Sequence, residues 1–141
     1  MSFRDLVFNK YKVTAGEDIL LFHGGAPENL RALKKDFKIL TPSEKLKVPS
    51  TGGGKIGLST STSQMVAQRY SKAFRHNTVL PLVLSKDAKI HSISTKGRGI
   101  DEVLSDAEIL ALQARGYDAI FDSGSDEEEY RILNSKHVKV R

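Results

Sequence analysis

A chain of 141 residues, 39% apolar and 28% charged, is long enough to bury one hydrophobic core and too short for two ordinary domains. The absence of cysteine excludes a disulfide framework, a thiolate metal site and a cysteine nucleophile. The formal charge of +5 admits acidic partners, but the lysines and arginines are scattered without an aromatic-interleaved stripe, so a solvated basic surface is the plainer reading. Eleven glycines and four prolines are ordinary usage, which excludes a collagenous or broadly disordered chain. No apolar run approaches the ~18 residues of a membrane span, and the opening MSFRDLVFNKYK lacks the apolar region of a signal peptide. The expectation is one soluble domain over 1–141, monomeric, working in a cytoplasm.

Along the chain, 18–23 (DILLFH) predicts a short buried strand closed by Gly24-Gly25. Pro27-Glu28 opens a helix over 27–36, with Leu30 and Leu33 on its apolar side. Residues 40–56 predict a loop. Its run Thr51-Gly52-Gly53-Gly54-Lys55 is not a triphosphate-binding loop, because no Ser or Thr follows the lysine and no long apolar strand precedes it. A strand follows over 56–60. The Ser61-x-x-Gln64 spacing of a capping box then predicts a helix over about 62–74, with Met65, Val66, Tyr70, Ala73 and Phe74 as its apolar face.

The run 78–84 (TVLPLVL) predicts a strand whose Pro81 favours a sheet edge or a bulge. Residues 89–94 (KIHSIS) alternate as a half-buried strand does. Ser105-Asp106-Ala107-Glu108 is a second capping box, opening a helix that carries Ile109, Leu110 and Leu112, presents Gln113 and Arg115 to water, and stops at Gly116. Three strands follow, over 117–121, 129–133 and 137–140. Single helices mixed with consecutive strands predict an α+β fold with a mostly antiparallel sheet. The four histidines, His23, His76, His91 and His137, have no ligand-spaced partners, so no metal site is expected.

Three local features carry the chemistry. Phe22-His23-Gly24-Gly25 places a histidine at a strand end before two glycines, where a ligand can approach the backbone closely. Ser59-Thr60-Ser61-Thr62-Ser63 sets a hydroxyl run where a strand meets a helix, part of which is N-cap chemistry. Asp126-Glu127-Glu128-Glu129 delivers a carboxylate to the start of an apolar strand, a place that a merely solvated loop leaves unexplained.

In this order the features resemble the ADP-ribosyltransferase family, over roughly residues 18–141. Phe22-His23-Gly24 looks like the His-Gly of the His-Tyr-Glu branch. Ser59-Thr60-Ser61 and Glu127-Glu128-Glu129 look like the Ser-Thr-Ser and Glu-x-Glu of the Arg-Ser-Glu branch. Gly116-Tyr117-Asp118-Ala119-Ile120 followed by Glu129-Tyr130-Arg131-Ile132-Leu133 resembles the family's final strands. The resemblance implies a compact domain with a split, mostly antiparallel sheet and about three flanking helices. It also implies NAD as co-substrate with no metal.

In that reading Glu129 is the catalytic carboxylate, and Glu127 prepares an arginine side chain on a macromolecular acceptor, a protein rather than a nucleic acid. His23 and Gly24 hold the adenosine-side ribose and the nicotinamide amide. Ser59, Thr60 and Ser61 line the NAD site, and Tyr70 stacks on nicotinamide with Phe74 in reserve. Ser59 stands where polymerising members carry a tyrosine, which implies transfer of a single ADP-ribose unit. The expected setting is the cytoplasm of the producing cell or of a host, as for a phage modifier, a delivered effector or a toxin. The His of one branch joined to the motifs of the other makes the chain a hybrid. Three alternatives stay open: an NAD glycohydrolase on the same fold; an RNA 2′-phosphotransferase on a similar fold, ranked lower because that chemistry calls for paired basic residues where this chain offers carboxylates; and a non-catalytic module that grips nucleic acid or protein through its basic surface.

Overall fold

A computed structural model of the protein describes residues 17–39, 41, 56–73, 79–124 and 128–141, the side chains of 70–73 excepted. The apolar runs become strands: β1 (Ile19–Gly24), β2 (Leu58–Ser61), β3 (Val79–Leu84), β4 (Ile90–Ile93), β5 (Ala119–Asp122), β6 (Glu129–Ile132) and β7 (Val138–Val140). The helices described are α1 (Pro27–Lys35), α2 (Gln64–Ala73), the single turn α3 (Ile100–Val103) and α4 (Asp106–Ala114). Only α3 has no counterpart in the sequence reading. Of the loop predicted over 40–56, residues 40 and 42–55 lie outside the described residues.

The strands form one seven-stranded sheet in the order β4-β5-β6-β2-β1-β3-β7. Five of its six pairings are antiparallel, and β4–β5 is parallel. A parallel pair needs a crossover, and α3 with α4 supplies it. The β1–β2 contact is a single pair, Phe22↔Ser61, whereas every other pairing holds three to six. The sheet is therefore nearly divided into β4-β5-β6-β2 and β1-β3-β7.

What joins the halves is a shared apolar layer. Leu21, Leu80, Leu82 and Leu84 from one half pack in a single cluster with Ala119, Phe121, Tyr130 and Ile132 from the other, with Leu30 and Leu33 of α1 against it. The opposite face of the four-stranded half is covered separately: Ile120 and Leu133 meet Ile56, Ile100 of α3, and Ile109 and Leu112 of α4. Alternation along β5 sends Phe121 to one layer and Ile120 to the other.

Four local expectations need correction, the first at Met65, expected on the apolar face of α2 but 65% exposed. Helix α2 begins at Gln64, and Ser63 caps it by accepting from Val66 N at 3.3 Å. Ser61 is instead the last residue of β2, drawn into the sheet by its pairing with Glu129. Pro81 lies on an inner strand, because β7 pairs β3 from Leu82 onward. Arg141 N donates to Pro81 O at 3.1 Å, so the proline nitrogen faces the side where β7 ends and no donor is missed. Gln113 is half-buried, and its Nε2 donates to Leu133 O at 2.8 Å instead of facing water. The Ser105–Glu108 capping box is present as expected.

Gly57 sets the entry to β2. Its φ is +85°, and a Cβ there would stand 2.6 Å from the Ile132 carbonyl oxygen, a backbone atom in the paired strand. Gly116 has the same φ of +85° with nothing within 4 Å, so it carries the conformational cost without the clash. Gly116→Ala should lower stability by about 1–3 kcal/mol through the left-handed backbone alone. Gly57→Ala should lose more than that, because β2 and β6 must also separate. Thermal melts of the two variants side by side check the order, and equal melting points would refute the clash.

Candidate active site

The β2–β6 register builds the site. Ser59 lies opposite Arg131, Thr60 opposite Tyr130, and Ser61 opposite Glu129. Directly opposed residues share a face, and successive ones alternate. Ser59, Ser61, Glu129 and Arg131 thus stand together on one face, while Thr60 and Tyr130 face the other. The Thr60 hydroxyl donates to Tyr130 O at 2.7 Å. Tyr130 itself stacks on Phe121 with ring centroids 4.4 Å apart, inside the main apolar layer.

The Glu129 carboxylate is held through one oxygen. Its Oε2 accepts from Ser59 Oγ at 2.6 Å and from Arg131 Nε at 3.0 Å. Its Oε1 takes no hydrogen bond among the described residues. The Glu129 side chain keeps 17% of its exposure. Ser61, buried beside it, accepts from Ser63 N at 3.0 Å.

His23 reaches the same place from β1. Its Nδ1 lies 2.8 Å from Ser59 O. A carbonyl only accepts, so Nδ1 carries the proton and donates. This bond crosses the junction where the half-sheets share their single pair. Gly24 follows as the last residue of β1, opposite Val79. The structure therefore brings His23, Ser59, Ser61 and Glu129 together at one seam, with Gly24 adjoining. Thr60 alone of the hydroxyl run turns to the core.

Tyr70 lies on α2, which packs against β1, β2 and β3, but its side chain, like all of Phe74 and Glu127, lies outside the described residues. Glu128 is described: its φ is +47°, and it accepts a hydrogen bond from the Thr62 hydroxyl. Among the described residues no group of three His, Asp or Glu is placed to hold a metal.

Two residues of the site escaped the sequence reading. Arg131 is 2% exposed and parts its donors among three acceptors: Glu129, the Ile56 carbonyl at 3.1 Å, and both oxygens of Asp101 at 3.1 and 2.9 Å. Burial pulls its pKa down most strongly, but the bonds and charges of Asp101 and Glu129 prevail and raise it. A cation at alternate spacing from Glu129 in an apolar strand was the available signal; nothing in sequence pointed to Asp101.

Burial, followed by the charge of Glu128, pushes the Tyr130 phenol up to about 12. An unfolded tyrosine ionises near ~10. The group's contribution to stability is therefore complete below about pH 10 and is lost as pH rises through that window, since the unfolded chain gives up the proton first. In a tyrosinate absorbance titration, a late phase near pH 12 should be absent from Tyr130→Phe. Identical curves for the two proteins would contradict the burial argument.

Two clefts, of about 480 Å3 around Lys89, Asp118 and His137 and about 230 Å3 around Arg31 and Pro81, include none of His23, Ser59 or Glu129. The candidate site is defined by its hydrogen-bond geometry: Ser59 and Arg131 on Glu129, and His23 on Ser59. In class, it is a carboxylate anchored at one oxygen, beside a histidine, at the seam of a nearly divided α+β sheet. No protein-family model matches the chain, and a search of curated proteins finds no match.

Proposed function

We propose that the protein is a mono-ADP-ribosyltransferase with an ADP-ribosyltransferase-like fold, cleaving NAD and passing one ADP-ribose unit to a protein acceptor. The observation that carries this reading is the Glu129 carboxylate, bound at Oε2 by Ser59 and Arg131 with Oε1 left to accept. The nearly divided sheet, with His23 bridging to Ser59 at the division, supports it.

Departure of nicotinamide breaks the bond between ribose C1′ and the pyridinium nitrogen, and the electron pair neutralises that nitrogen. The sugar becomes cationic, as in glycoside hydrolysis, where a carboxylate stabilises the developing charge. Glu129 Oε1 accepts from the 2′-hydroxyl beside the cationic carbon, drawing electron density toward it. Ser59 and Arg131 keep the carboxylate from turning away. Gly24 offers its backbone to the nicotinamide amide, and His23 contacts the adenosine-side ribose. The acceptor's lone pair then bonds C1′ and its proton leaves. Glu127 would prepare an arginine acceptor, and Ser59, in place of a tyrosine, fits transfer of a single unit. The reaction would proceed in a cytoplasm, of the producing cell or of a host.

The test is incubation of the protein with labelled NAD and cell lysate, wild type beside Glu129→Gln. A labelled protein band present with wild type alone supports the reading. Nicotinamide release with no labelled macromolecule assigns a glycohydrolase instead. NAD left intact by the wild type refutes both and favours a binding module, which salt-dependent nucleic-acid binding unaffected by NAD would identify.

A further inference from the structure

Arg131 is a buried cation two residues from Glu129 on β6, and in the proposed transfer it contacts Glu129 but no reacting atom. We propose that Arg131 is a positioning residue for Glu129, and that Asp101, on the one-turn helix α3, fixes where Arg131 points. The inference rests on Glu129 being the reactive carboxylate.

The geometry forms a continuous chain. Asp101 meets the guanidinium in a bidentate pair at 3.1 and 2.9 Å, Arg131 Nε meets Glu129 Oε2 at 3.0 Å, and Ser59 Oγ meets the same oxygen at 2.6 Å. A serine hydroxyl rotates freely about its own bond, so Ser59 alone would tether Glu129 without fixing its orientation. A guanidinium is planar, and a two-point bond at its far end fixes the plane and with it the direction of the Nε–H bond. The Ile56 carbonyl takes a further donor at 3.1 Å and pins the group from β2's approach. Because both donors converge on Oε2, the carboxylate is oriented with Oε1 available.

A lysine supplies the charge but not the fork, since its ammonium is a point charge on a flexible stem. Charge alone and orientation therefore make different predictions. Asp101 keeps 30% of its exposure, so removing its carboxylate lets water reach the freed guanidinium edge and should leave the fold intact.

The experiment compares full-length wild type, Asp101→Ala, Arg131→Lys and Glu129→Gln, by NAD-cleavage kinetics, melting temperature and crystal structure. Asp101→Ala should lower kcat by about 10–100-fold, the scale of an ångström's misplacement of a reacting group. KM for NAD should stay within about twofold, because ground-state binding is untouched. Its crystal structure should show the Glu129 carboxylate turned from Ser59 Oγ, and Arg131→Lys, if folded, should behave alike. Glu129 unmoved in Asp101→Ala overturns the proposal, as does Glu129 displaced with kcat unchanged. If the wild type leaves NAD intact, the functional reading fails separately. Displacement of Glu129 in Asp101→Ala would then still uphold the positioning role, and an unmoved Glu129 would still overturn it.

Discussion

Glu129→Gln should slow NAD cleavage by roughly 100–1,000-fold, equivalent to about 3–4 kcal/mol of transition-state stabilisation, the usual scale for one preorganised electrostatic group. The substitution is nearly isosteric, and the local bonding dictates how glutamine sits. Ser59 Oγ and Arg131 Nε both donate to one oxygen. The amide oxygen takes that position, because only an acceptor satisfies two donors. The amide NH2 is then forced into the place of Oε1, where it donates instead of accepting. A substrate hydroxyl loses its acceptor, and the charge that offsets the sugar cation is gone.

The fold should survive, since both donors remain satisfied and Asp101 still neutralises Arg131. Kinetics should show kcat falling with KM little changed, beside a melting temperature close to wild type. A wild-type rate in the variant would sink the assignment of Glu129.

Arg131→Met should be the most destabilising single change among the site residues, at about 3 kcal/mol. Removing one partner of a buried ion pair typically costs ~3–5 kcal/mol, because the charge left behind is uncompensated. Here Asp101 and Glu129 retain 30% and 17% of their exposure and can turn partly to water, which places the loss at the low end. The methionine fills much of the volume and needs no partner, yet the Ile56 carbonyl loses the guanidinium donor it now accepts from. Urea denaturation at neutral pH measures the loss directly, provided the slope with denaturant is unchanged. A double-mutant cycle with Asp101→Ala isolates the pair. A loss under about 1 kcal/mol would show that the buried cation is not what ties β6 to α3.

Much of the scaffold was legible because it is local. The runs that became β1 and β3 declared themselves by apolar content, and the Ser105–Glu108 box capped α4 where its spacing said. Gly116 ended α4 with the positive φ that a stop of that kind uses. The expectation at Ser61 failed for a physical reason. Its spacing to Gln64 fits a capping box, but pairing with Glu129, 68 positions away in sequence, held it in β2 and left the cap to Ser63. Pro81 likewise read as an edge signal, yet its nitrogen lies beside the point where β7 stops, a matter of where a distant strand ends.

The sequence by itself determined which residue types were available for chemistry and roughly where most of the strands and helices lie, because capping, alternation and turn formation act over a few residues. It placed His23 at a strand end, serines at a strand-to-helix step and Glu129 at a strand start. Only the tertiary structure decided that these meet. The His23–Ser59 and Ser59–Glu129 bonds span 36 and 70 residues. They depend on the β2–β6 register and on the single pair joining the half-sheets. The bond from Arg131 to Asp101, 30 residues apart, was beyond local pattern altogether. A buried guanidinium requires carboxylates within reach, and which carboxylate comes within reach is settled by how α3 packs on the sheet.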